Sequence, residues 1–305
     1  MRTTRCLIPV LALGAAVAVA AQAPAPAQPA PPPGTDIYLL PMPSGPASLA
    51  EAVPRPVATA RGYENQPAFD GGGQMILFTA QRDDGQTDAY RFDRIDGSTR
   101  ALWTTKEGEY SPTPTPDGRA FSVIRVEGDG AQRLWRFPRD GGAPSLVLTD
   151  IKPVGYHAWV DEDVLGLFVL GQPATLQIAR VSTGKAEVAA TGIGRSLHRV
   201  PGTRKVSFVQ RVSDEEYWIE EIDVDTKAIT RLVRTMAGSA DRDYAWMPDG
   251  RTVLMSAGTS IHRWTRGDAG WTEVADMARH NLGPVTRLAV SPQGDALAIV
   301  VNEVE

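Results

Sequence analysis

A serine and a histidine two residues apart are the first candidates for chemistry in this chain. The segment Gly194-Arg195-Ser196-Leu197-His198 places a possible nucleophile near a possible base, the pairing on which many acyl-transfer enzymes depend. The segment lacks the second glycine of a Gly-x-Ser-x-Gly nucleophile elbow, and that motif occurs nowhere in the sequence. The sequence therefore counts against a serine hydrolase of the elbow type.

Residue types that bind metals are present, but their spacing is not that of a metal site. The four histidines, His157, His198, His262 and His280, have no ligand spacing between neighbours. The run Asp161-Glu162-Asp163 has carboxylates for calcium but lacks the Asp-x-Asp-x-Asp-Gly loop pattern, and we interpret it as a solvated turn. We predict no metal and no other cofactor, with a site assembled from distant histidines as the open alternative.

One short phrase recurs six times and defines the elements that must position any site. Each copy has a tight turn followed by an apolar strand, at intervals of 40 to 47 residues. Pro, Asp and Gly suit the turn, and the apolar runs suit strands that are buried on both faces. Such a repeat predicts an all-β fold, a six-bladed β-propeller. The copies are FDGGGQMILF (69–78), PTPDGRAFSV (114–123), WVDEDVLGLF (159–168), RVPGTRKVSF (199–208), WMPDGRTVLM (246–255) and VSPQGDALAI (290–299).

A second repeated phrase, out of phase with the first, predicts the two outer strands of each blade. The chain begins with a copy of it, DIYLLPMPSG (36–45), and ends with a copy of the inner phrase. The segment from Asp36 to about Thr59 must therefore complete the last blade. This arrangement closes the ring with the N-terminal outer strands and leaves no sheet edge at the seam.

The propeller prediction directs the search for a site to the unlike residues that precede each copy of the inner phrase. Positions three to five residues before each copy should surround a mouth of the central channel, and they include Gln66 and Ser111. Arg195 and Arg287 suit a carboxylate or phosphate, and tyrosines offer amphipathic contact surface. The alternative is that these charges pair across the channel and only hydrate it. The tentative binding set is Glu64, Asn65, Glu109, Tyr110, Tyr156, His157, Arg195, Ser196, His198, Asp243 and Arg287.

The N-terminal residues have the features of an export signal. Arg2 and Arg5 precede a short apolar stretch, and Val19-Ala20-Ala21 supplies small residues for cleavage. We predict a signal peptide over 1–21, a Pro/Ala-rich linker over 22–34 and the propeller over 35–305. Cys6 is the single cysteine and lies in the predicted signal peptide, so we expect no disulfide in the mature protein.

Charge excludes some classes of partner. The chain has 31 basic and 36 acidic residues and a formal net charge of −5, without a run of Lys or Arg. This composition argues against binding to nucleic acid or to an anionic membrane surface. We expect a monomer that is not inserted in a membrane after cleavage of the signal peptide.

The repeats resemble those of the TolB family of exported propellers, whose blades carry the phrase F-S-P-D-G-x-x-I-A-F followed by D-I-Y. The resemblance is clearest at 246–255, 290–299 and Asp36-Ile37-Tyr38, and it covers residues 35–305. The turns at Asp161-Glu162-Asp163 and Pro201-Gly202-Thr203 depart from the family pattern. We expect a stand-alone propeller without the amino-terminal α/β domain of TolB. The resemblance implies a periplasmic or secreted scaffold that binds proteins, and it transfers no catalytic residue.

Two hypotheses for function follow. The first is a non-enzymatic exported propeller that binds a protein or peptide over the channel face, with no catalytic residue. The alternative is a small-molecule hydrolase or lyase with a polar site at the channel mouth, with or without the assistance of a metal. The alternative requires several of Glu64, Glu109, His157, His198 and Asp243 to converge within ligand distance.

Overall fold

A computed structural model describes residues 33–82, 85–239 and 242–303. The predicted signal peptide, 1–21, and all but the last two residues of the predicted linker lie outside these ranges, so both stay predictions. No helix within the ranges is long and apolar enough to cross a membrane.

The described chain forms six four-stranded antiparallel sheets, each of which is one blade. Two strands precede the first complete blade: β1 (Thr35–Pro41) and β2 (Arg55–Ala58). Blade 1 comprises β3 (Glu64–Phe69), β4 (Met75–Gln81), β5 (Thr87–Asp93) and β6 (Thr99–Ala101). Blade 2 comprises β7 (Gly108–Pro114), β8 (Ala120–Val126), β9 (Gln132–Pro138) and β10 (Ser145–Leu146). Blade 3 comprises β11 (Val154–Trp159), β12 (Val164–Val169), β13 (Thr175–Arg180) and β14 (Lys185–Thr191).

The remaining blades follow the same order of strands. Blade 4 comprises β15 (Ile193–Val200), β16 (Lys205–Arg211), β17 (Tyr217–Asp223) and β18 (Ile229–Arg234). Blade 5 comprises β19 (Tyr244–Trp246), β20 (Thr252–Ala257), β21 (Ser260–Thr265) and β22 (Thr272–Asp276). Blade 6 contains β23 (Val285–Val290) and β24 (Ala296–Asn302). The short 3₁₀ helices Pro46–Glu51 and Met277–His280 lie between strands.

The N-terminal strands complete blade 6, which confirms the predicted fold and closure. The strand order in that sheet is β2-β1-β24-β23. β1 pairs with β24 along its whole length, from Thr35 opposite Asn302 to Pro41 opposite Ala296. The first and last strands are therefore held by one antiparallel ladder, and neither leaves an unpaired edge at the seam.

The core lies between neighbouring blades, because the second strand of each blade is buried on both faces. In β12 every residue is buried, and in β4 the first six residues are buried. The cluster between blades 6 and 1 contains Ile37, Phe69 and Phe78. Apolar side chains on both faces of a strand are what two flanking sheets require.

Hydrogen bonds from two tryptophans join successive blades. Trp159 Nε1 donates to Ser122 Oγ of blade 2 at 2.9 Å, and Trp246 Nε1 donates to Ser207 Oγ of blade 4 at 2.8 Å. Each contributes about 1 kcal/mol to stability. Both tryptophans occupy the bulky position of the repeat phrase and are buried between blades.

Candidate functional site

A cavity of about 580 Å³ lies inside the ring, among the first strands of the six blades. At one end its wall consists of residues of the turns between first and second strands, such as Gly71, Pro116 and Pro292, which are exposed. At the other end the wall consists of nearly buried side chains such as Gln66 and Asp243. The cavity therefore opens on the face that carries these turns, called the turn face below.

Six residues, one from each blade, form a ring at the buried end of the cavity. In five of the six first strands the register shifts near this position, and β-bulges of this kind redirect side chains. Gln66 and Ser111 adopt φ values of 60° and 52°, which are costly for residues other than glycine. The backbone is thus strained where it meets the channel. We call these six residues the polar ring: Gln66, Ser111, Tyr156, Ser196, Asp243 and Arg287.

Arg287 connects four blades through the polar ring. Its Nε donates to Asn65 Oδ1 of blade 1 at 3.0 Å, and its Nη2 donates to the Tyr156 phenol oxygen of blade 3 at 3.3 Å. Its Nη1 lies 3.8 Å from Asp243 Oδ1 of blade 5. Blades 6 and 3 are opposite each other in a six-bladed ring, so the Arg287–Tyr156 contact crosses the channel and obstructs its buried end.

The charges at the buried end shift the pKa values of nearby groups. Burial alone would raise the pKa of the Tyr156 phenol, but the positive charges of Arg287 and Arg195 lower it below its usual value. Burial raises the pKa of Tyr63, next to the ring, to about 12 despite the same arginines. Burial would lower the pKa of Arg287, but Asp243 and the two phenols raise it. Arg287 is therefore a permanent cation at the floor of the cavity.

Ser196 lies between an acid and a histidine, in an order unlike that of a catalytic triad. Its Oγ donates to Asp243 Oδ1 at 3.1 Å and lies 3.1 Å from His198 Nε2. Asp243 also accepts the backbone N–H of Leu288 at 2.9 Å. In a triad the acid orients the histidine and the histidine accepts the serine proton. Here the serine hydroxyl donates to the acid, so the histidine is not aligned to accept the serine proton as it does in a triad.

His157 has a structural environment. Its Nε2 lies 2.7 Å from Ser122 Oγ of the preceding blade, and burial lowers its pKa to about 3. In blade 5 the corresponding residue is Tyr244, whose hydroxyl donates to Ser207 Oγ at 2.8 Å. His157 and Tyr244 thus make equivalent contacts between blades, each two residues before the tryptophan of its phrase.

A second ring, nearer the turn face, explains the space in the channel. Five of its six members are small, and the sixth is His198, whose imidazole packs edge-on against Tyr244 with 4.7 Å between ring centroids. Burial lowers the pKa of His198, although Asp243 opposes the effect. The cavity exists because most blades present only a methyl-sized side chain here. We call these residues the small-residue ring: Ala68, Thr113, Ala158, His198, Ala245 and Ala289.

The structure brings seven of the eleven residues of the tentative binding set to the cavity wall. These seven are Tyr156, His157, Arg195, Ser196, His198, Asp243 and Arg287. The other four, Glu64, Asn65, Glu109 and Tyr110, are not part of the wall. Asn65 supports Arg287 from behind, and Tyr110 packs on the apolar cluster that contains Ile124 and Val154.

Glu64 and Glu109 occupy equivalent places in blades 1 and 2 and pair with arginines of their own blades. Arg82 Nη1 donates to Glu64 at 2.6 Å. Glu109 is fully buried, accepts from the Thr105 hydroxyl and lies 3.4 Å from Arg125 Nε. Burial raises the pKa of Glu64, and it raises that of Glu109 to about 7. Both carboxyl groups are part of the packing within blades rather than of the channel.

The acids and histidines that the enzyme alternative requires do not converge on one point. Of the five acids and histidines named for it, only His198 and Asp243 approach each other closely, and they do so through Ser196. Across residues 33–82, 85–239 and 242–303 there is no group of three or more His, Cys, Asp or Glu side chains that could hold a metal ion.

Sequence reasoning missed two arginines that lie in the cavity wall, Arg139 and Arg199. Arg199 occupies the position that Trp159 and Trp246 occupy in other copies of the inner phrase, so the departure from a bulky apolar residue was a detectable signal. Arg139 belongs to the turn after β9, and nothing in the repeat phrase marks it.

Solved structures of the same fold include two TolB proteins and one enzyme. A putative TolB from Agrobacterium tumefaciens is similar with a TM-score of 0.69 and 18% identity, covering 90% of this chain and 100% of that chain. TolB from Acinetobacter baumannii has a TM-score of 0.60 and 15% identity, covering 88% and 64%. An oligogalacturonate lyase from Vibrio parahaemolyticus has a TM-score of 0.52 and 12% identity, covering 79% and 89%.

These similarities establish the fold, which is that of a TolB-like six-bladed propeller. No protein-family model matches the chain, and no curated protein matches it. The same architecture supports a lyase and the TolB proteins, so any function must be argued from the channel itself.

Proposed function

We propose that this chain is an exported, non-enzymatic TolB-like propeller that binds a protein or peptide through its central channel. The observation that supports this proposal is the open cavity of about 580 Å³ with a charged floor. Its volume is typical of sites that hold a drug-sized ligand or a short peptide segment. A partner protein therefore inserts a narrow segment into the channel, and the rest of the contact lies on the turn face.

Two features of the polar ring favour binding over catalysis. The Ser196 hydroxyl donates to Asp243, so its proton is not presented to His198. Arg287 is held by contacts with Asn65, Tyr156 and Asp243, which fixes its orientation before any ligand arrives. A preorganised site loses less entropy on binding.

The alternative, a small-molecule hydrolase or lyase, rests on one observation. Ser196 Oγ and His198 Nε2 are within hydrogen-bond distance inside the cavity. If the protein is an enzyme of this type, Ser196→Ala abolishes a turnover detected with ester or uronide substrates. Metal analysis of purified protein offers an independent check, because a stoichiometric metal favours this alternative.

A channel-blocking variant tests the binding proposal. Ala68→Trp fills the channel from the small-residue ring, where the fold already accepts a large side chain, His198, in blade 4. Immobilised protein is incubated with envelope extract from its native cell, and captured proteins are quantified. We expect Ala68→Trp to reduce capture of the partner at least about tenfold, a loss of about 1.4 kcal/mol.

The matched control is Ile95→Trp, which adds the same side chain to an exposed turn in blade 1, outside the cavity wall. Capture by this variant should equal that of the native sequence. Equal capture by Ala68→Trp and the native protein, with Ala68→Trp folded by circular dichroism, contradicts binding through the channel.

A further inference from the structure

The cavity wall has a charge opposite to that of the whole molecule. Four arginines contribute to it, Arg139, Arg195, Arg199 and Arg287, and a single carboxylate, Asp243. With histidine neutral, the wall carries a formal charge of +3 in a chain whose net charge is −5. A cleft of one sign concentrates ligands of the opposite sign. The charge therefore selects an anionic group.

The guanidinium of Arg287 retains donors for such a group. An arginine has five N–H donors, and in Arg287 Nε donates to Asn65 and Nη2 donates to Tyr156. Nη1 forms no hydrogen bond with the described residues, since Asp243 lies 3.8 Å away. Arg287 is 12% exposed as a side chain and lies in the cavity wall. Charge-assisted bonds from such a group to a carboxylate are among the strong ones.

The shape of the cavity favours a chain end over a loop. The Arg287–Tyr156 contact obstructs the buried end, and the exposed turn residues mark the single open side among the described wall residues. A loop must bring two chain segments through this mouth, whereas a terminus brings one. An N-terminal ammonium would meet a positive wall, whereas a C-terminal carboxylate would be attracted by it.

We propose that the channel binds the C-terminal carboxylate of a peptide chain, which enters from the turn face and reaches Arg287 at the floor. This inference rests on the proposed binding function and specifies the group that is recognised. Arg139 and Arg199 attract the carboxylate on its way in, and Arg195 adds positive charge near the floor. The small-residue ring leaves room for the last few side chains of the peptide.

Two peptide pools test this inference directly. Both are random hexapeptides with acetylated N-termini; one has free C-terminal carboxylates and the other has C-terminal amides. Each pool is passed over the immobilised protein and retention is measured by mass spectrometry. We expect the free-acid pool to be retained at least about tenfold more strongly, a difference of about 1.4 kcal/mol, because only that pool forms charge-assisted hydrogen bonds with Arg287.

A pair of matched double variants separates local charge from net charge. Arg195→Gln/Arg199→Gln removes two cations of the wall, whereas Arg180→Gln/Arg204→Gln removes two exposed cations that are not part of it. The preference for the free-acid pool should fall at least about threefold in the first variant and stay unchanged in the second. Equal changes in both variants overturn the proposal, because they assign the effect to net charge.

The remaining outcomes distinguish this inference from the proposed function. Equal retention of the two pools overturns carboxylate recognition and leaves channel binding intact, since peptides of both kinds are bound. In another outcome neither pool is retained, but a partner is captured from envelope extract and Ala68→Trp prevents its capture. This outcome overturns carboxylate recognition and leaves the proposed function intact. If neither pool is retained and the extract also yields no partner whose capture depends on the channel, both the inference and the proposed function are wrong.

Discussion

At the scale of single residues, buried charges have two different roles in this protein. Arg287 links blade 6 to blades 1, 3 and 5 around the channel. Glu109, by contrast, is buried within blade 2 and has one oxygen, Oε2, without a hydrogen bond among the described residues. The first charge is well coordinated and the second is not, so substitutions at the two positions should have opposite effects on stability.

Loss of Arg287 should be strongly destabilising. Arg287→Gln leaves Asp243 buried without its cation, which costs about 3 kcal/mol or more. The exposed Arg204, which pairs with Asp161 and Asp225, is the control, and Arg204→Gln should cost much less stability because solvent screens exposed ion pairs. Urea denaturation of both variants measures the two costs, and equal costs contradict the central role assigned to Arg287.

Replacement of Glu109 should stabilise the protein at alkaline pH. Its folded pKa is about 7 against 4.5 for the free side chain, so the folded protein holds a proton that the unfolded chain releases between these values. The stability contributed by this group is complete below about pH 4.5 and is lost as pH rises through 7. Glu109→Gln should therefore gain about 3 kcal/mol at pH 8 and nothing at pH 4.

The control for this experiment is Glu107→Gln. Glu107 is the other carboxylate on Arg125, at 3.0 Å, and its side chain is 32% exposed. Unfolding free energies are measured by urea denaturation at both pH values. If the unfolding free energies of the two variants differ equally between pH 8 and pH 4, burial of Glu109 is not the cause of the pH dependence.

At the scale of elements, the sequence predicted the strands well and the direction of the channel side chains poorly. Turns and buried strands depend on local chemistry: Asp249 accepts the backbone N–H groups of Arg251 and Thr252, as the Pro-Asp-Gly turn predicts. The bulges before the phrases depend on how the six strands meet, which no local pattern encodes. The resulting register shifts bring Gln66 into the wall and leave Glu64 behind it.

The closure by β1 provides a prediction at this scale. Ile37 is fully buried between blades 6 and 1, so Ile37→Ala should lower the free energy of unfolding by about 2–5 kcal/mol. The control is Val53, which lies after β1 and is 64% exposed. Val53→Ala should change the free energy of unfolding by about 0.5 kcal/mol or less. Thermal or urea unfolding measures both, and a small effect of Ile37→Ala contradicts the role of β1 in holding the ring closed.

At the scale of the whole molecule, six similar blades enclose one channel whose wall is asymmetric. The polar ring and the small-residue ring use equivalent positions, but only blade 4 places a histidine in the second, and only blade 6 places an arginine in the first. The repeats were enough to predict the number of blades and the closure. The location of the open mouth was not predictable, because it depends on which side chains cross the channel.

The central claim is that a partner binds at the channel opening on the turn face, and site-specific photocrosslinking tests it most directly. A photoreactive amino acid is placed at Arg199, in the exposed part of the cavity wall, or at Leu170, which follows β12 on the opposite face and is 41% exposed. Illumination in envelope extract should give a covalent adduct with a single partner from position 199 and none from position 170. An adduct from position 170 with none from position 199 would contradict the claim.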